Sequence, residues 1–101
     1  MTRDLDQHSR LEEHWQPSAD TVSQGIGGDI VLVHLRTGQI YELNATGARI
    51  WELLSEGCGQ TDIVRQLLQE YEVSEAEAHA QLGSLLDTLI AARLVRAKTD
   101  D

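Results

Sequence analysis

The residues of this chain that could carry out chemistry are few and widely separated. A catalytic thiol or a metal site would be built around one cysteine, Cys58, and four histidines, which are His8, His14, His34 and His79. The histidines do not stand at the spacings that zinc sites use, and no basic neighbour in the sequence is placed to activate Cys58. The sequence therefore predicts no catalytic residue, no metal site and no cofactor. It indicates a protein that binds a partner.

The glycine-rich stretch GIGGD at residues 25–29 is the other sequence that could mark a chemical site. A phosphate-binding loop continues into Lys-Ser or Lys-Thr and opens a helix, whereas this stretch precedes an apolar strand. It is therefore predicted to be a turn. None of the serines stands in the context of an activated nucleophile, so an enzyme is not favoured.

The charge balance limits the kind of partner. The 101 residues include 17 acidic and 8 basic side chains, for a net charge of −9, and no segment is strongly basic. Because nucleic-acid binding depends on neutralising phosphates, no nucleic-acid partner is expected. The N-terminus has no apolar signal segment, and no apolar run approaches the ~20 residues of a membrane span. The sequence thus predicts a cytoplasmic location without membrane association.

The first half of the chain has the pattern of a small antiparallel sheet. The second of its strands is apolar on both faces, β-branched and short, which predicts a central position. A turn containing Gly38 leads to the third strand, whose side chains alternate between two faces. The three strands are predicted at Asp20–Gln24, Asp29–Leu35 and Gln39–Leu43.

Three helices follow the strands. The first covers residues 45–54, and Asn44 before it is a good N-cap. Thr61 is predicted to cap the second helix. Ser74 and Glu77 have the spacing of a capping box, which predicts the start of the third. The expected fold class is therefore α+β and winged-helix-like, with a three-stranded antiparallel sheet followed by three helices.

The third strand and the third helix offer a binding surface. The last strand of such a sheet can be an edge with unpaired backbone groups, to which an extended peptide can add as a further strand. The third helix is predicted to run to Leu94 and Val95, and its apolar face is wider than one packing surface needs. The edge strand and this helix together would form a groove.

The order of these segments resembles a known family. GQIYELNATGARIWELLSEG at residues 38–57 is followed by TDIVRQLLQEY and by a helix ending in LIAARLV. This order is similar to that of the PqqD-like peptide chaperones, also called recognition elements of ribosomally synthesised, post-translationally modified peptides. The resemblance covers about residues 17–96. The remaining residues, 1–16 and 97–101, are predicted to be tails, the first flexible or with a short helix at Ser9–Trp15.

The resemblance implies a non-catalytic protein that binds the leader of a ribosomally made precursor peptide and presents it to a separate modifying enzyme. That enzyme could be a radical SAM maturase, a leader protease or a cyclase. The product could be pyrroloquinoline quinone, a lasso peptide or another peptide product, and the widely shared IWELL sequence favours a pathway other than the quinone. The implied contacts to the leader peptide are Gln39, Ile40, Tyr41, Glu42, Leu43, Leu82, Leu85, Leu86 and Leu89.

Two other functions stay open from the sequence. A winged-helix DNA-binding regulator would share the three helices, but each of its candidate recognition segments has one arginine. A dimerisation domain would use the leucine-rich third helix for self-association. The expected oligomeric state is a monomer or a weak dimer.

Overall fold

The computed structural model describes residues 14–98. In this part of the chain the elements are, in order, β1 (Trp15–Pro17), β2 (Thr21–Ile26), β3 (Asp29–His34), β4 (Ile40–Leu43), α1 (Ala45–Ser55), α2 (Gln60–Glu70), α3 (Glu75–Ala91) and β5 (Val95–Ala97). The predicted α+β class, with a three-stranded antiparallel sheet followed by three helices, is confirmed. The strands β1 and β5 form a second, two-stranded sheet that is absent from the sequence-based prediction.

The main sheet has the strand order β2-β3-β4, and both pairs are antiparallel. The strand β3 is central, as its two apolar faces predict. Its inward residues Ile30, Leu32 and His34 are buried, whereas five of the six residues of β2 are exposed, on both of its faces. The strand order makes β2 and β4 the two edges of the sheet, and the helices pack mainly against β3 and β4.

The second sheet joins the two ends of the described chain. Trp15 in β1 lies opposite Ala97 in β5. The predicted tail boundaries are corrected here, because Trp15, Gln16 and Ala97 belong to strands. The helix considered at Ser9–Trp15 lies outside the described residues except for its last two positions. Three-residue strands are too short to show alternation, and each pairs with a partner at the other end of the chain.

The helix α1 lies at the centre of the helical layer. It packs against β3 and β4 on one side and against α2 and α3 on the other. Its buried residues Ile50, Trp51 and Leu54 belong to one continuous apolar core. Because its apolar side chains point in several directions, this single helix connects the sheet to the rest of the helical layer.

Two of the three predicted helix caps are confirmed. The side-chain oxygen of Asn44 accepts the backbone N–H of Gly47 at 3.0 Å at the start of α1. At the start of α3, Ser74 and Glu77 exchange the two hydrogen bonds of a capping box, at 2.8 and 3.1 Å. Both helices therefore begin where the sequence predicts.

The cap predicted for α2 is wrong. This helix begins at Gln60 with Gly59 as its N-cap, two residues before Thr61. The ring of His14 lies over Gly59, and a Cβ atom at that position would be 2.9 Å from the Nε2 atom of His14. A side chain with capping ability would displace the ring, so the position is occupied by glycine.

The predicted end of α3 is also corrected. The helix ends at Ala91, and Arg93 adopts the left-handed conformation with a φ of 61°. Leu94 and Val95 are buried, which explains why they continue the apolar spacing of the helix. Val95 lies in the strand β5 instead.

A group of charged side chains links α1 to α2. Arg49 donates hydrogen bonds to both carboxylate oxygens of Glu70, at 2.9 and 3.2 Å from its Nε atom, and to Glu52 at 3.1 Å. The hydrogen bonds from Arg49 lower the pKa of the Glu70 carboxyl group. The stability that this pair contributes is present above the pKa that Glu70 has in the unfolded chain. It is lost as the pH falls through the lowered pKa.

We expect the substitution Arg49→Gln to return the pKa of Glu70 towards its ordinary range, because it removes the main cause of the shift. An NMR titration of the Glu70 side-chain carboxyl carbon measures this. Arg65→Gln is the matched control, since Arg65 pairs with Asp62 at 3.1 Å. An unchanged Glu70 titration in Arg49→Gln would contradict the assignment.

We expect Asn44→Ala to reduce the free energy of unfolding by about 1 kcal/mol, because a backbone N–H in the first turn of α1 loses its partner. Thr61→Ala is the control, since Thr61 does not cap α2, and its effect should stay within about 0.5 kcal/mol. Urea denaturation measures both. Equal losses in the two variants would mean that Asn44 does not act as a cap in solution.

Candidate functional site

The free edge of β4 presents a defined set of backbone groups. The N–H of His34 donates to the carbonyl oxygen of Gln39 at 3.0 Å, so the carbonyl of Gln39 points towards β3. Along an antiparallel strand, successive residues direct their backbone groups to opposite sides, and the register between β3 and β4 is continuous from Ile40 to Leu43. The N–H and C=O groups of Ile40 and Glu42 therefore point away from β3 and towards the free edge.

An open groove of about 480 Å³ lies between this edge and α3. The helix α1 forms its floor. Because α1 packs against both β4 and α3, it keeps the strand and the helix apart. The groove is lined by Glu42, Leu43, Asn44, Thr46, Gly47, Ile50, Ala80, Gln81, Ser84, Leu85 and Thr88.

The groove has an apolar floor and a polar rim. Leu43 and Ile50 are buried at the floor, and Leu85 is half-buried beside them. The rim is formed by exposed polar side chains, namely Glu42, Gln81, Ser84 and Thr88. Since successive side chains of a strand point to opposite sides, this surface suits an extended segment that alternates apolar and polar residues.

The five predicted strand residues occupy different places. Glu42 and Leu43 line the groove. Ile40 lies on the outer face of the sheet and is 65% exposed. Tyr41 is half-buried on the helical side, and its hydroxyl donates to the side-chain oxygen of Gln39 at 2.9 Å. Gln39 itself lies beside a second cavity at the other end of β4.

Of the four predicted helix residues, Leu85 lines the groove. Leu82, Leu86 and Leu89 are 2%, 7% and 1% exposed and belong to the core. These three leucines support the groove from the inner side of α3 without lining it. A direct contact between them and a ligand would require the core to open.

The polar side of α3 that faces the groove is not among the residues predicted from the sequence. Gln81, Ser84 and Thr88 follow helical spacing and lie on the same side as Leu85. Their spacing is a visible signal. However, a polar stripe beside a leucine stripe is also what an ordinary solvent-exposed helix face looks like, so the pattern alone does not mark a site.

A protein-family model matches most of this chain. The model described as coenzyme PQQ synthesis protein D (PqqD) matches residues 29–95, from the first residue of β3 to the first residue of β5. The chain belongs to the PqqD family. The match includes β4, all three helices and therefore the whole groove.

Two solved structures resemble this PqqD-family chain over nearly their full length. The first is TbiB1 in complex with the TbiA(beta) leader peptide, with 35% identity, a TM-score of 0.77, and coverage of 84% of this chain and 99% of TbiB1. The second is lasso peptide synthetase B1 complexed with the leader peptide, with 24% identity, a TM-score of 0.76, and coverage of 82% and 98%. The second likeness shows the fold alone. No curated protein sequence is significantly similar to this chain.

Two further properties concern the described residues. None of their helices has the length and apolar character that crossing a bilayer requires. Between residues 14 and 98, no three histidine, cysteine, aspartate or glutamate side chains are grouped so that they could hold a metal ion.

The difference between groove and core leucines predicts different effects on stability. We expect Leu89→Ala to reduce the free energy of unfolding by about 2–5 kcal/mol, because it leaves a cavity in the core. Leu85→Ala removes a half-buried side chain and should cost less than about 1.5 kcal/mol. Urea denaturation compares the two variants, and losses of the same size would mean that Leu85 is a core residue.

Proposed function

We propose that this PqqD-family chain is a non-catalytic peptide chaperone. It binds the leader of a ribosomally made precursor peptide by strand addition and presents it to a separate modifying enzyme. The observation that carries the proposal is the free edge of β4, whose unpaired backbone groups lie beside a groove with an apolar floor. The similarity to TbiB1, which was solved with a leader peptide, supports it.

The backbone of β4 would provide the register for the peptide. The N–H and C=O groups of Ile40 and Glu42 can each form a hydrogen bond with an added strand. Each such bond contributes a net ~0.5–1.5 kcal/mol. These hydrogen bonds do not depend on the side chains of the peptide, so they favour any extended peptide. Selectivity must therefore come from contacts in the groove.

The groove would provide the selectivity. Every second side chain of an added strand points towards α1 and α3, where Leu43 and Leu85 offer apolar contacts. The alternate side chains point outward, on the same side as Ile40 and Glu42. A leader segment with apolar residues at every second position therefore fits, and Gln81, Ser84 and Thr88 can hydrogen-bond to its polar groups.

Presentation to the enzyme follows from the geometry of an added strand. The bound segment forms a new outer edge, and both of its ends leave the sheet. The part of the precursor that is modified can therefore extend away from this chain into the active site of the enzyme. A radical SAM maturase, a leader protease or a cyclase would each be a suitable partner.

The two other functions considered from the sequence are not favoured. A DNA-binding regulator needs a basic recognition helix, but α3 contains no lysine or arginine and α2 contains Arg65 alone. A dimerisation domain would need the leucines of α3 at its surface. Leu82, Leu86 and Leu89 are instead buried within a single chain.

The proposal can be tested by a titration followed in ¹⁵N spectra, with the synthetic leader of a short precursor encoded beside this gene. We expect amide shifts in Ile40–Leu43 and along residues 80–88 of α3. A chain that shows no response to the leader, but responds to duplex DNA or to its own dilution, would contradict the proposal.

Strand addition makes a sharper prediction at Glu42. Its N–H points to the free edge, so Glu42→Pro removes that donor and keeps the hydrogen bonds between β4 and β3. We expect Glu42→Pro to weaken leader binding by about tenfold or more, because a peptide carbonyl also loses its partner. Isothermal titration calorimetry measures the affinity.

The matched control is Glu42→Ala, which removes the same side chain and keeps the N–H. It should change the affinity much less, since Glu42 is exposed. Unchanged amide signals of β2 and β3 in Glu42→Pro show that the sheet is intact. If Glu42→Ala weakened binding as much as Glu42→Pro does, the side chain and not the strand edge would be responsible.

A further inference from the structure

A second cavity, of about 670 Å³, lies beside the start of β4 and the end of α3. The groove lies towards the opposite ends of these two elements. The walls of the second cavity include Arg36 after β3, Arg93 after α3 and Arg96 in β5. We call this cavity the arginine cavity. These three are half of the six lysine and arginine residues between positions 14 and 98. Asp20 is the one acidic residue in the wall. In a chain with a net charge of −9, this is a local concentration of positive charge.

The backbone conformation at Arg93 would favour glycine, which indicates that the arginine side chain has a role of its own. The N–H of Leu94 donates to the carbonyl of Leu89 at 2.9 Å, and the N–H of Arg93 donates to that of Ile90 at 3.0 Å. This is the Schellman arrangement, which places the residue after the cap in the left-handed conformation and favours glycine there. Arg93 has a φ of 61°.

The end of α1 has the same hydrogen-bond arrangement with the residue that is usual there, a glycine. There the N–H of Cys58 donates to the carbonyl of Leu53 and the N–H of Gly57 to that of Leu54, both at 3.0 Å. The residue in the left-handed conformation is Gly57, with a φ of 93°. The end of α3 has the same hydrogen bonds but carries an arginine where glycine would be less strained.

The described fold does not use the charge of this arginine. Within residues 14–98, the guanidinium of Arg93 forms no ion pair and no hydrogen bond. Arg36 reaches only Asp20, at 3.8 Å, with 77% of its side chain exposed. Arg96 donates from Nε and Nη2 to the side-chain oxygen of Gln16, both at 3.2 Å, in the amide orientation that satisfies both side chains. Arg93 and Arg36 therefore have donors available for an anionic ligand.

The arginine cavity continues the line of the peptide groove. Gln39, which precedes β4, belongs to its wall, as do the last residues of α3. A strand rises about 3.3 Å per residue, so a peptide paired with Ile40 reaches this cavity within about two residues. If the peptide extends the antiparallel order of the sheet, its C-terminal side lies at this end.

We propose that the arginine cavity binds the carboxylate of an aspartate or glutamate in the leader peptide, just after the segment that pairs with β4. This inference rests on the proposed function. Arginine is suited to the role because its planar guanidinium can donate two parallel hydrogen bonds to a carboxylate. Together, the groove and the cavity would select an alternating apolar strand followed by an acidic residue.

The test uses Arg93→Gly and the synthetic leader of the precursor encoded beside this gene. Because glycine adopts the left-handed conformation freely, we expect a higher midpoint of urea denaturation. Because a carboxylate partner is lost, we expect leader binding to weaken by about three- to tenfold. A residue with a purely structural role would not improve stability and impair binding in the same substitution.

A leader variant and two further protein variants complete the design. Replacing the acidic residue of the leader by its amide should weaken binding to the wild type and leave binding to Arg93→Gly unchanged. Arg36→Gln should weaken binding without altering the backbone. Arg65→Gln, on α2, is the control and should change neither stability nor affinity appreciably.

The outcomes separate this inference from the proposed function. If the leader shifts the amides of β4 but binds Arg93→Gly and Arg36→Gln as tightly as the wild type, this inference is wrong and the proposed function stands. If the leader fails to bind the wild type, the proposed function fails. If Arg93→Gly loses binding only to the modifying enzyme, the cavity recognises an acidic protein surface and this inference is overturned.

Discussion

The position of α1 is the constraint on which the rest of the structure depends. Asn44 ends β4 and caps α1, so the strand and the helix meet without a loop. The joint is close-packed, since a methyl group on Gly47 would lie 3.3 Å from the Cβ atom of Leu43. The helix then packs beneath both β4 and α3. The strand edge and α3 therefore cannot close on each other, and the groove between them stays open.

Much of this architecture follows from local signals in the sequence. The apolar run of β3 predicts a central strand, and Asn44 and the pair of Ser74 and Glu77 predict two helix starts. The edge position of β4 follows from its place as the last strand before the helices. These features depend on neighbouring residues, so a single sequence is enough to find them.

The features that the sequence did not predict depend on distant contacts. The N-cap position of α2 is Gly59, where the ring of His14 leaves no room for a side chain. No residue near Thr61 in the sequence indicates that contact. The strands β1 and β5 exist because opposite ends of the described chain pair. Among the leucines of α3, the division between core and groove depends on where α1 lies. Spacing shows which residues share a helix face but not what covers that face.

The exposed strand β2 has a consequence for how this sheet avoids unwanted partners. Like β4, it presents unpaired backbone groups along one edge, so hydrogen bonding alone would not distinguish the two edges. The helices pack mainly against β3 and β4, and most residues of β2 are exposed on both faces. A chain that paired there would exclude little water and gain little beyond hydrogen bonds that water already provides. The two edges therefore differ in how much apolar surface a paired peptide removes from water. Because α3 lies across a groove from β4, the edge of β4 is the selective one.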